Sequence, residues 1–440
     1  MSWQGRRSTG AVTRPTEAVG AASDVGAASD VSDQTAARRT AWRMVVGFGV
    51  VSLAADMVYE GARSVTGPLL ASLGATAALV GLVSGLGEAV ALVLRLFSGS
   101  WADRSGRYWG WALAGYAITA VSVPALALTP FLGAAGLVVG CTLVVAERFG
   151  KAVRSPAKTV LLARASAVVG LGRGFGIHKA LDQFGAVAGP LLVAAVVSLT
   201  GALWTGLAVL ALPGVASLVI LLELRRRSRR HSRTQSRTAA PADREPAAAD
   251  REQPTRAGLP RIFWIYAGSA GTATAGLVTF AVIGYHLVDD GVTSAATVPV
   301  VYALAMAAAG LAALATGWVF DRIQARVLLI VPVLITAVPL LAFTDTIGLV
   351  AIGVLAWGAA TGVQDSTTKA LVATLVPPHR RGTAYGAFAA IEGAAAIVGG
   401  LTAGALYQHS RPALIAYVGL TQLVTLVLLI ITVRVRGRTA

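Results

Sequence analysis

The stretch Gly99-Ser-Trp-Ala-Asp103-Arg104-Ser-Gly106-Arg107 lies between two apolar runs and decides the fold class of this chain. A related stretch, Gly317-Trp-Val-Phe-Asp321-Arg322, lies between two apolar runs of the second half. A charged connection at the same place in each half indicates an internal repeat. Membrane proteins built from two related halves are typical of secondary transporters.

The composition indicates that most of this chain is surrounded by lipid. Of its 440 residues, 55% are hydrophobic and 13% are charged, with a mean hydropathy of +0.69. A soluble domain carries roughly 25% charged residues. The net charge of +16 is concentrated between the apolar runs, so no soluble basic face for nucleic acid is expected. The single cysteine, Cys141, allows no intrachain disulfide.

Apolar runs of about 20 residues recur along the chain, each long enough to cross a bilayer as a helix. They cover about 43–70, 77–98, 108–128, 131–153, 176–199, 201–223, 262–287, 296–318, 327–344, 346–370, 383–407 and 412–433. The sequence therefore predicts an all-α membrane protein. We expect 12 transmembrane helices in two pseudo-symmetric six-helix bundles, over residues 42–223 and 261–434.

The polar segments predict the orientation. Residues 1–41 are expected to be a disordered cytoplasmic tail, and 435–440 a short cytoplasmic tail. Residues 224–260 are expected to be a basic cytoplasmic linker, drawn to anionic lipid or carrying a specific binding motif. Basic residues fall on one side of the predicted spans, with Arg411 as the clear exception. By the positive-inside rule, both termini of this multi-pass protein of the plasma or inner membrane are cytoplasmic.

The order of these elements resembles the major facilitator superfamily from residue 43 to residue 434. Its loop signature is Gly-x-x-x-Asp-Arg-x-Gly-Arg, which the first stretch matches at Gly99, Asp103, Arg104, Gly106 and Arg107. The second copy keeps Gly317, Asp321 and Arg322, but has Gln324 in place of the second glycine. The resemblance implies a charge latch that holds the cytoplasmic side closed. The alternative is a simple determinant of topology.

The fifth span resembles the antiporter motif of the same family. Gly176, Gly185, Gly189 and Pro190 have the motif's spacing, whereas Val193 and Ala194 replace its final glycine pair. The resemblance implies a drug/proton antiporter. The alternative is ordinary close packing of a glycine-rich helix.

Ionisable side chains inside the first two spans are candidates for proton coupling. Asp56, Glu60 and Arg63 follow one another at spacings of four and three, which places them on one helical face. Glu88 lies near the centre of the second span. Such residues are costly in a membrane and indicate function. We expect Asp56, Glu60 or Glu88 to carry a proton, with Arg63 as counter-charge or solute ligand and Tyr59 lining the cavity. The alternative is a static ion pair.

Charged residues of the fourth and fifth spans are expected in the cytoplasmic halves of their helices. The natural pairs are Arg148 with Asp182 and Glu147 with Lys179, which could close a gate or touch the solute. A second repeat aligns Phe175-Gly176 and Asp182 with Tyr385-Gly386 and Glu392, so Glu392 is their counterpart in the second half.

The sequence lacks a phosphate-binding loop of the Gly-x4-Gly-Lys-Ser/Thr form and a nucleophile–base pair. These absences predict no enzyme activity and no cofactor. His178 and His286 are candidate metal ligands, but we expect no metal because the sequence suggests no second ligand beside His286 at a suitable spacing. The predicted function is proton-coupled export of a small amphiphilic compound by a monomer that contacts a small-molecule substrate, protons and lipid. One alternative is a proton-coupled importer of a polar or anionic metabolite. The other is a transport-inactive receptor or lipid-handling protein.

Overall fold

A computed structural model of the chain describes residues 18–238, 258–377 and 380–437. Within these ranges every regular element is helical. The α-helices are α1 (Ala18–Ser72), α2 (Ala77–Ser105), α3 (Tyr108–Ala125), α4 (Gly136–Ser166), α5 (Leu171–Thr200), α6 (Leu203–Ala208), α7 (Ala211–Thr238), α8 (Arg261–Gly276), α9 (Phe280–Asp289), α10 (Val298–Ile323), α11 (Ile330–Ala342), α12 (Ile347–Leu375), α13 (Arg381–His409) and α14 (Arg411–Gly437). Short 3-10 helices lie at Leu126–Phe131, Gly133–Ala135 and Gln324–Leu329.

The described ranges contain 12 helical segments long and apolar enough to cross a membrane, six before the linker and six after it. The predicted all-α architecture of 12 spans is therefore confirmed. The seventh span consists of two helices, α8 and α9, separated by Leu277–Thr279. The break leaves backbone carbonyls without helical partners, and the Trp357 indole donates a hydrogen bond of 2.8 Å to that of Val278.

Two polar segments differ from their predicted form. Helix α1 begins at Ala18, so the part of the expected disordered tail from 18 to 41 is helical. Helix α7 continues to Thr238, so the linker is helical as far as that residue. Alanine and arginine are strong helix formers, and a helix already started in the membrane extends through them at little cost. The remaining tail and linker residues, 1–17, 239–257 and 438–440, lie outside the described ranges.

The two halves meet along a seam that closes towards one side of the membrane. We call this the far side, which carries the connections at 73–76 and 290–297. The termini side carries the connections at 106–107 and 167–170. On the far side, α2 and α13 touch backbone to backbone, because a Cβ built on Gly81 would lie 2.0 Å from the Gly400 carbonyl oxygen. Only glycine permits this approach.

The same seam widens towards the termini side. A Cβ on Gly393 would lie 3.3 Å from Ala89 Cα, and one on Gly386 would lie 3.8 Å from the end of the Leu96 side chain. Helices α5 and α10 repeat the pattern, since Gln183 Nε2 donates a bond of 2.6 Å to the Met306 carbonyl. Closer to the termini side, a Cβ on Gly176 of α5 or on Gly317 of α10 would meet no described atom within 4 Å. The halves therefore part on the termini side.

Candidate functional site

Glu88 lies where the seam begins to open. Its carboxylate is 2.9 Å from the Arg63 guanidinium of α1 and 3.2 Å from the Arg148 guanidinium of α4. One third of the Glu88 side chain is exposed, against 7% for Arg148. The neighbouring positions on α2 explain this exposure. At Gly85, α2 packs directly on Ala396 of α13, whereas at Ala89 the two helices are already further apart. Glu88 is therefore an accessible carboxylate held between two guanidinium groups.

Tyr59 gathers the cations of the site. Its ring lies 4.7 Å from the Arg148 guanidinium carbon and 3.4 Å from Lys151 Nζ. Arg63 donates a bond of 3.4 Å to the Tyr59 hydroxyl. A buried aromatic face attracts cations through its quadrupole. Tyr59 thus contacts three positive side chains, and two of them, Arg63 and Arg148, pair with Glu88.

Glu60 connects the two halves. The Tyr302 hydroxyl of α10 donates a hydrogen bond of 2.5 Å to its carboxylate, and both side chains are buried. Sequence analysis missed Tyr302. Its signal is weak but present, since it is the lone tyrosine in a helix otherwise rich in alanine and valine.

Asp56 belongs to a separate cluster nearer the termini side. Arg154 Nη2 lies 3.9 Å from its carboxylate, and the side chain of Asp182 contacts it from α5. Asp182 accepts bonds from Ser52 at 2.9 Å and from Lys179 at 3.0 Å. The two carboxylates repel each other, and Arg154 and Lys179 lie beside them as counter-charges.

The predicted pairs of Arg148 with Asp182 and Glu147 with Lys179 are wrong. Arg148 pairs with Glu88 and lies 3.6 Å from Glu147, whereas Lys179 pairs with Asp182 one turn away on α5. The reason is the length of α4, which runs to Ser166 and so places Glu147 and Arg148 near its middle. The last turns of α4 are basic, so the apolar run in the sequence stops before the helix does.

The latch residues of the first copy stay within their own half. Asp103 accepts a bond of 2.9 Å from the Tyr108 hydroxyl, and Gly106 ends α2 with a φ of +63°. Arg104 and Arg107 are exposed, and no described carboxylate forms an ion pair with either. Gly99 faces the Pro156 ring, 3.6 Å from the position of a Cβ. Among the described residues, none of these charged side chains forms an ion pair with the second half.

The second copy resembles the first in that its helix also ends at a residue with a positive φ. Gln324 ends α10 with a φ of +52°, at the position that corresponds to Gly106. The Arg322 guanidinium lies 3.5 Å from the Trp318 ring centroid. The side chain of Asp321 lies outside the described part of the chain. Glu392 of α13 lies near Tyr266.

The motif glycines of α5 pack against α1 in the same half. A Cβ on Gly185 or Gly189 would lie 2.3 Å from the carbonyl oxygen of Leu53 or Met57 respectively. Pro190 follows in the buried part of α5, whereas Gly176 is exposed. Close packing therefore accounts for two of the three glycines.

A far-side network around Asp290 escaped sequence analysis. Asp290 accepts hydrogen bonds from His286 at 2.6 Å, from Tyr407 at 2.8 Å and from Arg411. Burial raises the pKa of Asp290, but these hydrogen bonds and the charge of Arg411 outweigh it and lower the pKa. Arg411, the one basic residue expected on this side, was the available signal. The network ties the ends of α9, α13 and α14 together.

Comparison with known proteins places this architecture in a family. The model of the Major Facilitator Superfamily matches residues 48–330 and again 277–440. The uncharacterized proteins Rv2265 of Mycobacterium tuberculosis and Mb2288 of Mycobacterium bovis are each 50% identical over 391 residues, which span 89% of this chain and 93% of the relative.

Solved structures have the same fold at low identity. A nucleoside transporter, NupG, superposes with a TM-score of 0.69 at 13% identity, over 88% of this chain and 99% of its own. A peptide transporter, POT, superposes with a TM-score of 0.66 at 14% identity, over 90% and 94%. The chain belongs to the Major Facilitator Superfamily and is a multi-pass membrane transporter rather than an enzyme.

Proposed function

We propose that this chain is a proton-coupled secondary transporter that works by alternating access and carries a small polar solute with an anionic group. The observation that carries the proposal is the accessible carboxylate of Glu88 between Arg63 and Arg148. With both termini in the cytoplasm, the open side of the seam faces the cytoplasm. A monomer suffices, since both walls of the seam come from one chain.

The charges around Tyr59 support an anionic solute. Arg63, Arg148 and Lys151 surround its ring, and Glu88 is the carboxylate that pairs with both arginines. Guanidinium groups bind carboxylate and phosphate oxygens through parallel hydrogen bonds. A solute anion could therefore take the place of the Glu88 carboxylate between the same two side chains.

This exchange also provides a route for coupling. Protonation of Glu88 removes its negative charge and leaves Arg63 and Arg148 without a counter-charge. Their desolvation then favours binding of a solute anion. The proton and the solute would bind together, as in a symporter, and the pair of Asp56 and Asp182 is a second place to hold a proton.

Export of an amphiphilic compound in exchange for protons is the second candidate. Gly176, Gly185, Gly189 and Pro190 favour it through their resemblance to the antiporter motif. Because packing against α1 accounts for Gly185 and Gly189, we rank this function below transport of an anion.

Uptake into liposomes with an inward proton gradient tests both candidates. The panel contains small carboxylates, phosphate esters and amphiphilic cations, with Arg148→Gln as the variant. As the matched control we choose Arg226→Gln, which makes the same change on an exposed part of α7. We expect gradient-driven uptake of an anion that Arg148→Gln reduces at least tenfold. Gradient-driven efflux of amphiphilic cations, with no anion transported, would overturn the proposal in favour of the second candidate.

A further inference from the structure

A cavity lies outside the seam, on the termini side of the first half. It has a volume of about 450 Å³ and is bounded by the connection between α2 and α3, the end of α4 and the polar extension of α7. The proton and solute site described above contributes no residue to it.

The walls of this cavity are strongly basic. Four arginines line it: Arg107, Arg164, Arg225 and Arg229. None of the four forms an ion pair with a carboxylate in the described ranges. Glu223, the acid on the same turns of α7, pairs with Arg227 at 2.8 Å. Four like charges around one space repel each other unless an anion lies between them.

Arg225 has a donor that needs an acceptor. Its Nε is buried and has no hydrogen-bond partner among the described residues. A buried donor without a partner costs free energy. Arg225 lines the cavity, but this nitrogen has no exposed surface, so the side chain would have to turn towards an anion bound there to give the nitrogen an acceptor.

The start of α3 adds backbone donors to the same wall. The cavity is lined by residues 106–110, which contain the first turn of this 18-residue helix. Its N-cap residue, Arg107, makes no side-chain capping bond. The N-terminus of a helix carries partial positive charge and binds phosphate through its N–H groups. Arg164, 4.8 Å from the Tyr108 ring centroid, is held beside this turn.

The position of the cavity favours a lipid as the source of the anion. Trp109 lines it and stacks on Phe48 at 5.6 Å, and Trp111, two residues further along α3, stacks on Trp101 at 6.2 Å. Tryptophans concentrate at the depth of the lipid headgroups. A headgroup phosphate lies at this level, and anionic lipids bind basic pockets between helices on the cytoplasmic side.

We propose that this cavity binds a phosphate ester, supplied by the headgroup of an anionic phospholipid of the surrounding leaflet. The phosphate oxygens accept from the arginines and from the first turn of α3. Because free phosphate offers the same oxygens, the test must separate the two sources.

The test uses purified full-length protein in a neutral detergent. The variant is Arg225→Gln with Arg229→Gln, and its matched control is Arg226→Gln with Arg230→Gln, at the same spacing on another face of α7. The probes are short-chain phosphatidylglycerol, short-chain phosphatidylcholine and inorganic phosphate. The readout is the probe concentration that gives half of the maximal rise in apparent melting temperature.

We expect phosphatidylglycerol to stabilise the unmodified protein and the control at similar concentrations. The Arg225/Arg229 variant should need at least a tenfold higher concentration. Tighter binding of phosphatidylglycerol than of inorganic phosphate identifies a lipid, and the reverse identifies a free phosphate. An equal effect of phosphatidylcholine, no stabilisation by either phosphate probe, or an equal loss in the two double variants would overturn the proposal.

Discussion

Gln324 occupies in the second half the backbone position that Gly106 occupies in the first. Its φ of +52° and ψ of −139° lie in a region that side chains with a Cβ rarely adopt. Among the described residues, Gln324 is the one residue other than glycine with a positive φ. The positive φ is thus kept where the glycine is lost, although Gly106 has a ψ of 3°, and Gln324 carries strain as a result.

Replacing this residue with glycine should stabilise the protein. We expect Gln324→Gly to increase the free energy of unfolding by about 1 kcal/mol, because the strain disappears. Gln364→Gly makes the same change inside helix α12, where glycine should instead destabilise by about 1 kcal/mol. Apparent melting temperatures in detergent measure both. A lower melting temperature for Gln324→Gly would contradict the strain at this position.

Individual side chains also show where sequence reasoning stops. The spacing of Asp56, Glu60 and Arg63 was sufficient to place them on one face of α1. It could not identify Tyr302 as the partner of Glu60, because that contact joins residues 242 positions apart. Nor could it choose Glu88 as the partner of Arg148, since the relative depth of two helices depends on where each one ends.

At the scale of elements, the far-side network joins the ends of α9, α13 and α14. The titratable and charged groups that face Asp290 or its partners are the following: Tyr285, His286, Asp289, Asp345, Tyr407 and Arg411. Because the pKa of Asp290 is lowered in the folded protein, its contribution to stability is complete above the unfolded pKa of about 4. That contribution is lost as the pH falls through the lower folded value.

The consequence can be measured as stability against pH. We expect Asp290→Asn to lower the free energy of unfolding at pH 7 by about 2 kcal/mol, because His286 and Arg411 lose a charged acceptor. The difference from the unmodified protein should shrink below about pH 4. Asp345→Asn is the control, because the Asp345 side chain is 84% exposed and its distance of 3.7 Å from Arg411 makes the ion pair weak. Equal effects of the two variants at pH 7, or a difference that persists at pH 3, would contradict this role.

The elements themselves were largely predictable. Runs of about 20 apolar residues gave all the spans, because lipid selects strongly for them. The ends of the helices were not predictable, as α4 and α7 show. Both continue beyond the apolar run through arginine-rich turns, which form helix as readily as the membrane part but do not register as hydrophobic. This is why the depth of Arg148 was misjudged.

At the scale of the molecule, the seam between the halves is the feature that makes transport possible. Glycine contacts such as Gly81 with Gly400 close it on the far side, while Gly176 and Gly317 face open space on the other. Packed interfaces of this kind change between discrete arrangements rather than deforming continuously. Glu60, Glu88 and their partners lie where the closed part ends and the open part begins, so movement of the halves must alter their contacts.

The most direct measurement follows protons in liposomes that contain the purified protein. A pH-sensitive dye inside the vesicles reports proton entry when a transported anion is added outside. We compare Glu88→Gln with Glu223→Gln, the same change at an exposed site on α7. We predict that the anion drives proton entry in the unmodified protein and in Glu223→Gln, and that Glu88→Gln exchanges the anion without moving protons. Undiminished anion-driven proton entry in Glu88→Gln would contradict the account.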